Sequence, residues 1–431
     1  MENIFSPFRS AWRIADLRKK LITTALLLLV YRIGVFIPVP GLRASVLAQF
    51  ANSTGAGIFG YLNIIGGGAF ERASIFAMSI SPYINASIII QLLTIAIPAL
   101  EKLQKEGEEG RRKLAEWTRY GTVILGFLQA TFMYIGFGTA IAKRSVLSYL
   151  TITLALTAGT AFIMWLGEQI NEYGIGNGIS LIIFVNIISS GPTAFIMLYS
   201  IIASYSLDGK LALGILIVLG IVAVFIAMVV MVIYVTEAER RIPVQYAKRV
   251  VGRKMYGGQS THIPIKVNVA GVMPIIFAMS ILSFIPTIIT LVAPNTENKF
   301  LISLMRFSSN PLYMLVMALL VLFFTFFYTM IAFNPIEVAN NIRKNGGFIP
   351  GIRPGKPTSD YITKVLNRVT WFGALFLALV TIFPSLLELV TGIGNIWFGG
   401  TSLLIMVGVA LETAKQIEAQ LMMRHYKGFL E

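Results

Sequence analysis

Side chains that commonly carry out catalysis or bind metal ions are scarce in this sequence. Cysteine is absent, which excludes thiolate chemistry, disulfide bonds and cysteine-based metal sites, and the only two histidines, His262 and His425, lie far apart along the chain. The chain also has no catalytic pair of carboxylates, no nucleophile elbow and no phosphate-binding loop. We therefore expect no metal centre and no cofactor, and we predict that the protein is not an enzyme.

The glycine-rich run GIGNG at residues 174–178 is easily mistaken for a nucleotide-binding loop. No strand precedes it in the predicted pattern, so it lacks the strand–turn–helix context that nucleotide binding requires. A tight turn between two helices explains this run better.

Buried carboxylates usually mark transporters that are driven by protons or sodium ions, and they are missing from the middle of the apolar stretches. The acidic residues instead lie near the ends of those stretches, at Glu168, Glu237, Glu388 and Glu412. The polar residues in the middle are uncharged, and hydrogen bonding between helices is their ordinary role. They are Asn85, Gln91, Gln129 and Asn186. This pattern argues against an ion-coupled transporter.

The composition indicates an all-α polytopic membrane protein. Of the 431 residues, 56% are hydrophobic and only 13% are charged, and the mean hydropathy is +0.76. A membrane-spanning helix needs roughly 20 predominantly apolar residues. Ten stretches are predicted to span the membrane: residues 21–37, 73–97, 118–140, 148–170, a fifth that begins near Gly178 and is interrupted at 189–192, then 211–235, 268–293, 311–333, 368–390 and 397–414.

The distribution of lysine and arginine predicts the orientation of these helices. Of the 35 basic residues, 27 lie in the N-terminal segment, the C-terminal tail and the loops on the same side, whereas 7 lie in the opposite loops. Both termini are therefore expected in the cytoplasm. The two longest cytoplasmic loops, 236–267 and 334–366, alternate basic residues with aromatic residues and with glycine or proline turns. This favours docking of a partner, with lipid headgroups and nucleic-acid phosphates as alternatives.

A short apolar piece at residues 57–66 precedes the second predicted helix and is separated from it by Gly66, Gly67 and Gly68. It is too short to cross a bilayer, so we predict a half-helix that enters the membrane and returns. Irregular backbone at that depth survives only inside protein or beside a water-filled cavity. We therefore predict a cavity, and an inverted repeat of five plus five helices would place it between the two halves.

Two pairs of isoleucines are spaced four residues apart and share a helix face, Ile80 with Ile84 and Ile179 with Ile183. A ring of bulky aliphatic side chains would hold back water and ions at a pore constriction. From spacing alone, packing in the core or against lipid is the better explanation, because such pairs are common in any apolar helix.

Six stretches from every part of the chain carry a family resemblance. They are GGAFERASIFAMSISPYINASIIIQLL, KEGEEGRRKLAEWTRYGT, MWLGEQINEYGIGNGISLIIF, QSTHIPIKVNVAGVMPIIFA, FNPIEVANNIRKNGGFIPGIRPG and FGGTSLLIMVGVALE. In this order they resemble the bacterial SecY family, the channel subunits of the general protein-export translocon. The resemblance covers about residues 5–428.

The resemblance implies ten transmembrane helices in two pseudo-symmetric halves of five around an hourglass pore, plus a re-entrant plug half-helix at about residues 57–67. The halves would be residues 21–200 and 201–414, flanked by a cytoplasmic N-terminal segment (1–20) and a cytoplasmic tail (415–431). Family members pass unfolded secretory polypeptides across the plasma membrane and release transmembrane segments sideways into lipid through a lateral gate. Their partners are the small membrane subunits SecE and SecG, the motor ATPase SecA, the ribosome, signal-bearing precursor polypeptides and membrane lipids.

The resemblance also implies roles for individual residues. The family's pore ring falls on Ile80, Ile84, Ile179, Ile183, Ile276 and Ile405. Its plug falls on Ile58, Phe59, Tyr61, Leu62, Ile64 and Ile65. Its lateral gate includes Ser87, Gln91, Ile276 and Met279. Its docking surface for the motor and the ribosome falls on Arg353, Arg253, Lys254, Arg240, Arg241, Lys248 and Arg249.

Among the docking residues, Arg353 matches the family's most sensitive position for motor-driven export. Arg253 and Lys254 match a basic pair that contacts ribosomal RNA, and the second position is arginine in some relatives. Lysine keeps the charge there but loses the planar fork that grips phosphate at two points.

Three other functional classes are compatible with a polytopic bundle. A secondary transporter would need the midplane carboxylates that are missing here. A membrane-embedded enzyme would need catalytic side chains that converge at one depth, and the sequence suggests no such set. An ion-selective channel would need a filter of charged side chains or carbonyl groups. A ring of isoleucines provides neither.

Overall fold

The structure, a computed structural model, describes residues 11–53, 63, 66–207, 209–246, 249–251, 254–256, 260–292, 311–391 and 400–427. Within these residues the chain forms a bundle of helices with a small antiparallel sheet. By length and composition, five of the described helices can cross a membrane, or six if one bent pair counts as a single span.

The first half of the chain contains α1 (Ala15–Gly34), α2 (Ala44–Ser53), α3 (Ser81–Ala96), α4 (Pro98–Lys105), α5 (Glu108–Gly136), α6 (Val146–Tyr173), α7 (Gly178–Ser189) and α8 (Gly191–Leu207). The second half contains α9 (Leu211–Glu237), β1 (Glu239–Tyr246), β2 (Arg249–Val251), β3 (Lys254–Tyr256), β4 (Ser260–Lys266), α10 (Met273–Val292), α11 (Pro311–Ala332), α12 (Pro335–Lys344), β5 (Gly347–Phe348), α13 (Lys356–Thr391) and α14 (Gly400–Lys427). The predicted stretches 211–235 and 311–333 agree closely with α9 and α11. The ninth predicted helix, 368–390, starts earlier than expected. α13 begins at Lys356, inside the preceding polar loop.

The second predicted helix, 73–97, is only partly helical. Regular helix begins at Ser81, and residues 66–80 form successive turns instead. Pro82 lies in the first helical turn, where its missing N–H costs nothing, but its ring prevents the helix from continuing upstream. The turns are held against α1, because the Ser74 hydroxyl donates a hydrogen bond to the Gly34 carbonyl at 3.1 Å.

A proline also ends α3. Pro98 disfavours helical backbone at the residue before it, and Ile97 is extended, with φ −111° and ψ 112°. The axes of α3 and α4 therefore differ by 102°. α4 carries an exposed ion pair between Glu101 and Lys105, so the bend takes the chain from apolar to charged sequence.

The two long polar loops fold together into one platform. β1 pairs antiparallel with β4 from the first loop, with Ile242 opposite Ile263, and with β5 from the second loop, with Gln245 opposite Phe348. The inward residues form a separate buried cluster with α12 and α13. Its buried members are Ile242, Val244, Ile265, Ile342, Ile349, Ile362 and Leu366. The sequence predicted turns here but not this sheet.

Candidate functional site

The six isoleucines matched to the family's pore ring come from four parts of the chain. Ile80 immediately precedes α3 and Ile84 lies in its first turn, Ile179 and Ile183 belong to α7, Ile276 to α10, and Ile405 to α14. All but Ile179 are buried members of one hydrophobic cluster, with side chains between 0% and 6% exposed, and Ile179 is partly buried and packs against that cluster. The fold therefore brings the six residues, from both halves of the chain, into one apolar region.

The residue before Ile80 has a strained backbone conformation that the surrounding structure holds in place. Ser79, which precedes it, has a φ of +50°, in the left-handed region that residues with a side chain rarely adopt. Such strain persists only where the surroundings hold it, and Ser79 is fully buried. The Ile80 carbonyl accepts the N–H of Ile84 at 3.1 Å, which is the first hydrogen bond of α3 and ties Ile80 to the start of that helix.

Close packing against α6 fixes the same segment from the other side. A Cβ atom at Gly159 would lie 2.0 Å from the Ile75 carbonyl oxygen, so only glycine permits the observed approach. On the α1 side, the Phe76 ring stacks on Tyr31 with centroids 5.4 Å apart and planes at 9°. The turns at residues 66–80 are therefore closely packed and largely buried against α1 and α6.

The tight turn predicted at GIGNG is confirmed. Gly178 donates a backbone hydrogen bond to Oδ1 of Asn171 at 2.7 Å. The Asn177 side chain accepts the N–H of Ser180 at 3.3 Å and caps α7. The turn thus sets the start of α7, which carries Ile179 and Ile183.

Most of the predicted plug falls outside the described residues. This applies to Ile58, Phe59, Tyr61, Leu62, Ile64 and Ile65. Asn63, Gly66 and Gly67, at the C-terminal end of the predicted segment, are described; Asn63 is hydrogen-bonded to Glu71, Gly66 to Ala69, and Gly67 to Arg32 of α1.

The residues assigned to the lateral gate lie on two helices that contact each other. Ser87 and Gln91 are half-buried on α3, whereas Ile276 and Met279 lie on α10, next to it. Sequence reasoning missed a further partner, because the Tyr328 hydroxyl of α11 donates a hydrogen bond to Oε1 of Gln91. A tyrosine in an apolar helix is a weak signal on its own, since the chain has 16 tyrosines.

The predicted docking residues are only partly described. Arg240 and Arg241 are exposed on β1, and Nε of Arg241 lies 2.7 Å from Oε1 of Glu239. Arg249 lies in β2 and Lys254 in β3, a two-stranded hairpin in which Lys254 pairs with Val251. Lys248 and Arg253 fall outside the described residues.

Arg353 follows β5 in the second loop. It is exposed, and its carbonyl accepts the Thr358 hydroxyl at 2.9 Å, which fixes the GIRPG turn to the start of α13. Both loops of the platform thus carry exposed arginines, Arg240 and Arg241 in the first and Arg353 in the second.

Comparison with known proteins identifies the family. The sequence model of the SecY family matches residues 74–414. The protein translocase subunit SecY of Halalkalibacterium halodurans is 50% identical over 434 residues, covering 99% of this chain and 100% of that relative.

Solved structures share the fold. A protein-conducting channel aligns with a TM-score of 0.65 at 19% identity, covering 93% of this chain and 92% of that one. Sec61 in the canine ribosome–channel complex from the endoplasmic reticulum aligns with a TM-score of 0.61 at 18% identity, with the same coverage. Taken with the match over most of its length, these findings show that the chain belongs to the SecY family.

Proposed function

We propose that this protein is the central, pore-forming subunit of a protein translocation channel in the bacterial plasma membrane. It passes unfolded secretory polypeptides across the membrane and releases transmembrane segments sideways into lipid. The observation that supports this most directly is the apolar cluster in which isoleucines from α3, α7, α10 and α14 meet. The near-complete alignment with a protein translocase subunit at 50% identity supports the same function.

The proposed architecture has ten membrane-spanning helices in two halves, residues 21–200 and 201–414. Residues 1–20 and 415–431 lie in the cytoplasm, and residues 57–67 form the plug. The excess of lysine and arginine on one side supports this orientation. Five helices in the described part of the chain, or six if one bent pair counts as a single span, are long and apolar enough to cross a membrane, which supports a polytopic bundle.

The isoleucine ring blocks water and ions and still lets polypeptides of many sequences pass. Aliphatic side chains offer water and ions no hydrogen bonds, so a narrow ring of them excludes both by dewetting. The same lack of polar groups means that an extended polypeptide of any sequence meets no specific bond that would hold it. An ion filter or a substrate-binding site would need charged groups or carbonyls at this position, and the ring supplies neither.

The gate between α3 and α10 opens when the equilibrium between its closed and open states shifts toward the open state. An apolar signal sequence that inserts between these helices offsets the loss of their mutual packing and favours the open state. The bond between Gln91 and Tyr328 opposes this step, since a typical hydrogen bond contributes about 0.5–1.5 kcal/mol of stability. That contribution is small enough for a bound signal sequence to overcome.

Energy for transport comes from partners that dock on the cytoplasmic platform. We assign Arg353, Arg240, Arg241, Lys248, Arg249, Arg253 and Lys254 to contacts with the SecA motor or with ribosomal RNA. Phosphate and carboxylate contacts need positive charge within reach, which exposed arginines on a rigid sheet provide. SecE and SecG are the expected small membrane subunits, and no cofactor is required.

Transport of a precursor into vesicles tests this function. Vesicles would contain the full chain with its SecE-like subunit, and a signal-bearing precursor would be added with SecA, with or without ATP. We expect protease-protected precursor only when SecA and ATP are both present. An intact, folded complex that protects no precursor, either with the motor or with a translating ribosome, would contradict the proposal.

A further inference from the structure

A polar socket on α1 and α7 holds Gly67, the last residue of the proposed plug. We define the Gly67 socket as Tyr31 and Arg32 of α1 with Asn186 and Ser189 of α7. Nη1 of Arg32 donates a hydrogen bond to the Gly67 carbonyl oxygen at 3.0 Å. Arg32 is the basic residue that lies within the first predicted span, and this contact gives its charge a defined partner at that depth.

The backbone conformation and the close side chains of the socket favour glycine at position 67. Gly67 has a φ of +60°, which a residue with a side chain rarely adopts. A Cβ atom there would lie 2.7 Å from Oδ1 of Asn186, 2.9 Å from Nη1 of Arg32 and 2.9 Å from Oγ of Ser189. The backbone at Gly67 therefore rests directly on three polar side chains.

The base of the socket is buried and internally hydrogen-bonded. Nδ2 of Asn186 donates to the Tyr31 hydroxyl oxygen at 2.7 Å, and both side chains are fully buried. Oγ of Ser189 donates to the Asn186 carbonyl at 2.7 Å. Because a buried polar group that loses its partner is costly, these bonds make α1 and α7 a fixed support.

The chain on either side of Gly67 is folded back on itself. Oδ1 of Asn63 accepts the backbone N–H of Glu71 at 3.1 Å, and its Nδ2 donates to Oε2 of Glu71 at 3.3 Å. The Asn63 carbonyl also accepts the N–H of Gly68 at 2.8 Å. Asn63 is thus tied to Gly68 and Glu71, the residues that follow Gly67.

The Arg32 side chain is steered by a neighbouring ring. Its guanidinium carbon lies 5.5 Å from the centroid of the Phe36 ring, and that of Arg72 lies 4.5 Å from the same centroid. Cation–π attraction holds both groups at this ring. Only Arg32, of these two, meets the Gly67 carbonyl in the described contacts, so Arg72 is a matched control.

We propose that Arg32 is a positioning residue for the plug, because the Gly67 socket holds the C-terminal end of that segment. This inference rests on the proposed function, since it presumes a plug at residues 57–67. Every member of the socket belongs to the first half of the chain, so the anchor need not break when the halves separate. The plug would then stay attached to the first half in the closed state and in the open state.

Closed-channel conductance tests the proposal. The full chain with its small partner subunits would be placed in planar bilayers, and potassium chloride conductance would be recorded without precursor. Arg32→Met keeps the apolar stem and removes the donors, so we expect conductance to rise about tenfold, as the loss of a charged hydrogen bond would produce. Precursors with a defective signal sequence should also cross this variant more readily. Arg72→Met should leave both readouts near those of the wild type, and Arg32→Lys, which keeps a cationic donor, should restore most of the seal.

Arg32→Met with wild-type conductance, in a complex that still transports precursor, would overturn the anchor and leave the proposed function standing. A wild-type complex that transports no precursor would instead contradict the proposed function itself. If Arg32→Met does not assemble with its subunits, Gly67→Ala tests the same contact from the other side. Raised conductance in Gly67→Ala supports the anchor, and wild-type conductance overturns it.

Discussion

The Tyr328 hydroxyl of α11 donates a hydrogen bond to Oε1 of Gln91 on α3, and this bond joins the second half of the chain to the first. The Tyr328 ring is also buried, with its centroid 4.8 Å from that of Phe277 on α10 in an edge-on arrangement. One side chain therefore connects α11 to α10 by ring packing and to α3 by a hydrogen bond. If the halves part between α3 and α10, this is a bond that must break.

Tyr328→Phe should make the gate easier to open. The ring and its packing remain, but the hydroxyl is lost, so the closed state loses about 0.5–1.5 kcal/mol. Export of a precursor with a weakened signal sequence should rise severalfold in SecA-driven vesicles. Tyr234→Phe, at a tyrosine that is 79% exposed on α9, is the matched control and should change nothing. Equal export by the wild type and Tyr328→Phe would contradict a role of this bond in gating.

Replacing Ile84 and Ile183 together by glycine should raise ion leak through the resting channel. Both side chains are buried in the central cluster, and their loss widens the proposed constriction enough to admit water. Conductance in planar bilayers without precursor measures the effect. Ile226→Gly, at an isoleucine that is 56% exposed on α9, controls for glycine in a helix. An unchanged leak in the double variant would remove these residues from the seal.

Arg353→Glu should impair motor-driven export and leave folding intact. Arg353 is exposed in a turn, and only its backbone is used in the described hydrogen bonds, so charge reversal should disturb a partner contact and not the platform. SecA-driven transport should fall strongly, whereas co-purification with the SecE-like subunit should persist. Arg144→Glu, a charge reversal in the exposed loop between α5 and α6, should transport normally. Normal transport by Arg353→Glu would refute motor docking at this turn.

Gly159→Ala should destabilise the protein, because the new methyl group would meet the Ile75 carbonyl at 2.0 Å. Relief requires α6 to move away from the turns at residues 66–80, at a cost of about 1–3 kcal/mol. Gly220→Ala is the control, since a Cβ there meets nothing within 4 Å and alanine favours a helix. Thermal unfolding in detergent should show a lower midpoint for Gly159→Ala alone. Equal midpoints would mean that this close approach is easily relieved.

The sequence predicts helices well where local pattern decides them. α9 is uniformly apolar between polar ends, so its bounds follow from composition. Residues 66–80 are different, because Ser74, Phe76 and the strained Ser79 are held by contacts with α1 and with other distant elements. The local sequence alone, which does not show those contacts, predicts that residues 73–80 belong to a longer helix.

The candidate site also combines features that local sequence predicts with features that depend on distant contacts. The spacing of Ile80 and Ile84 gives a shared face, but the presence of Ile276 and Ile405 in the same cluster depends on the packing of helices hundreds of residues apart. The pairing of β1 with β5 and the bond between Gln91 and Tyr328 are also long-range, and no local pattern predicts either. The prediction of a pore ring came from the family resemblance, whereas the spacing of the isoleucines alone favoured ordinary packing.

The central claim is that translocating polypeptide passes through the isoleucine cluster, and cross-linking tests it directly. The chain has no cysteine, so Ile84→Cys, Ile183→Cys and Ile405→Cys each introduce a unique thiol. A precursor with one cysteine would be arrested in transit in SecA-driven vesicles and oxidised. We predict disulfide cross-links to all three positions and none to Leu216→Cys, which is 69% exposed on α9. Cross-links to Leu216→Cys, or to none of the ring positions while transport proceeds, would contradict the account.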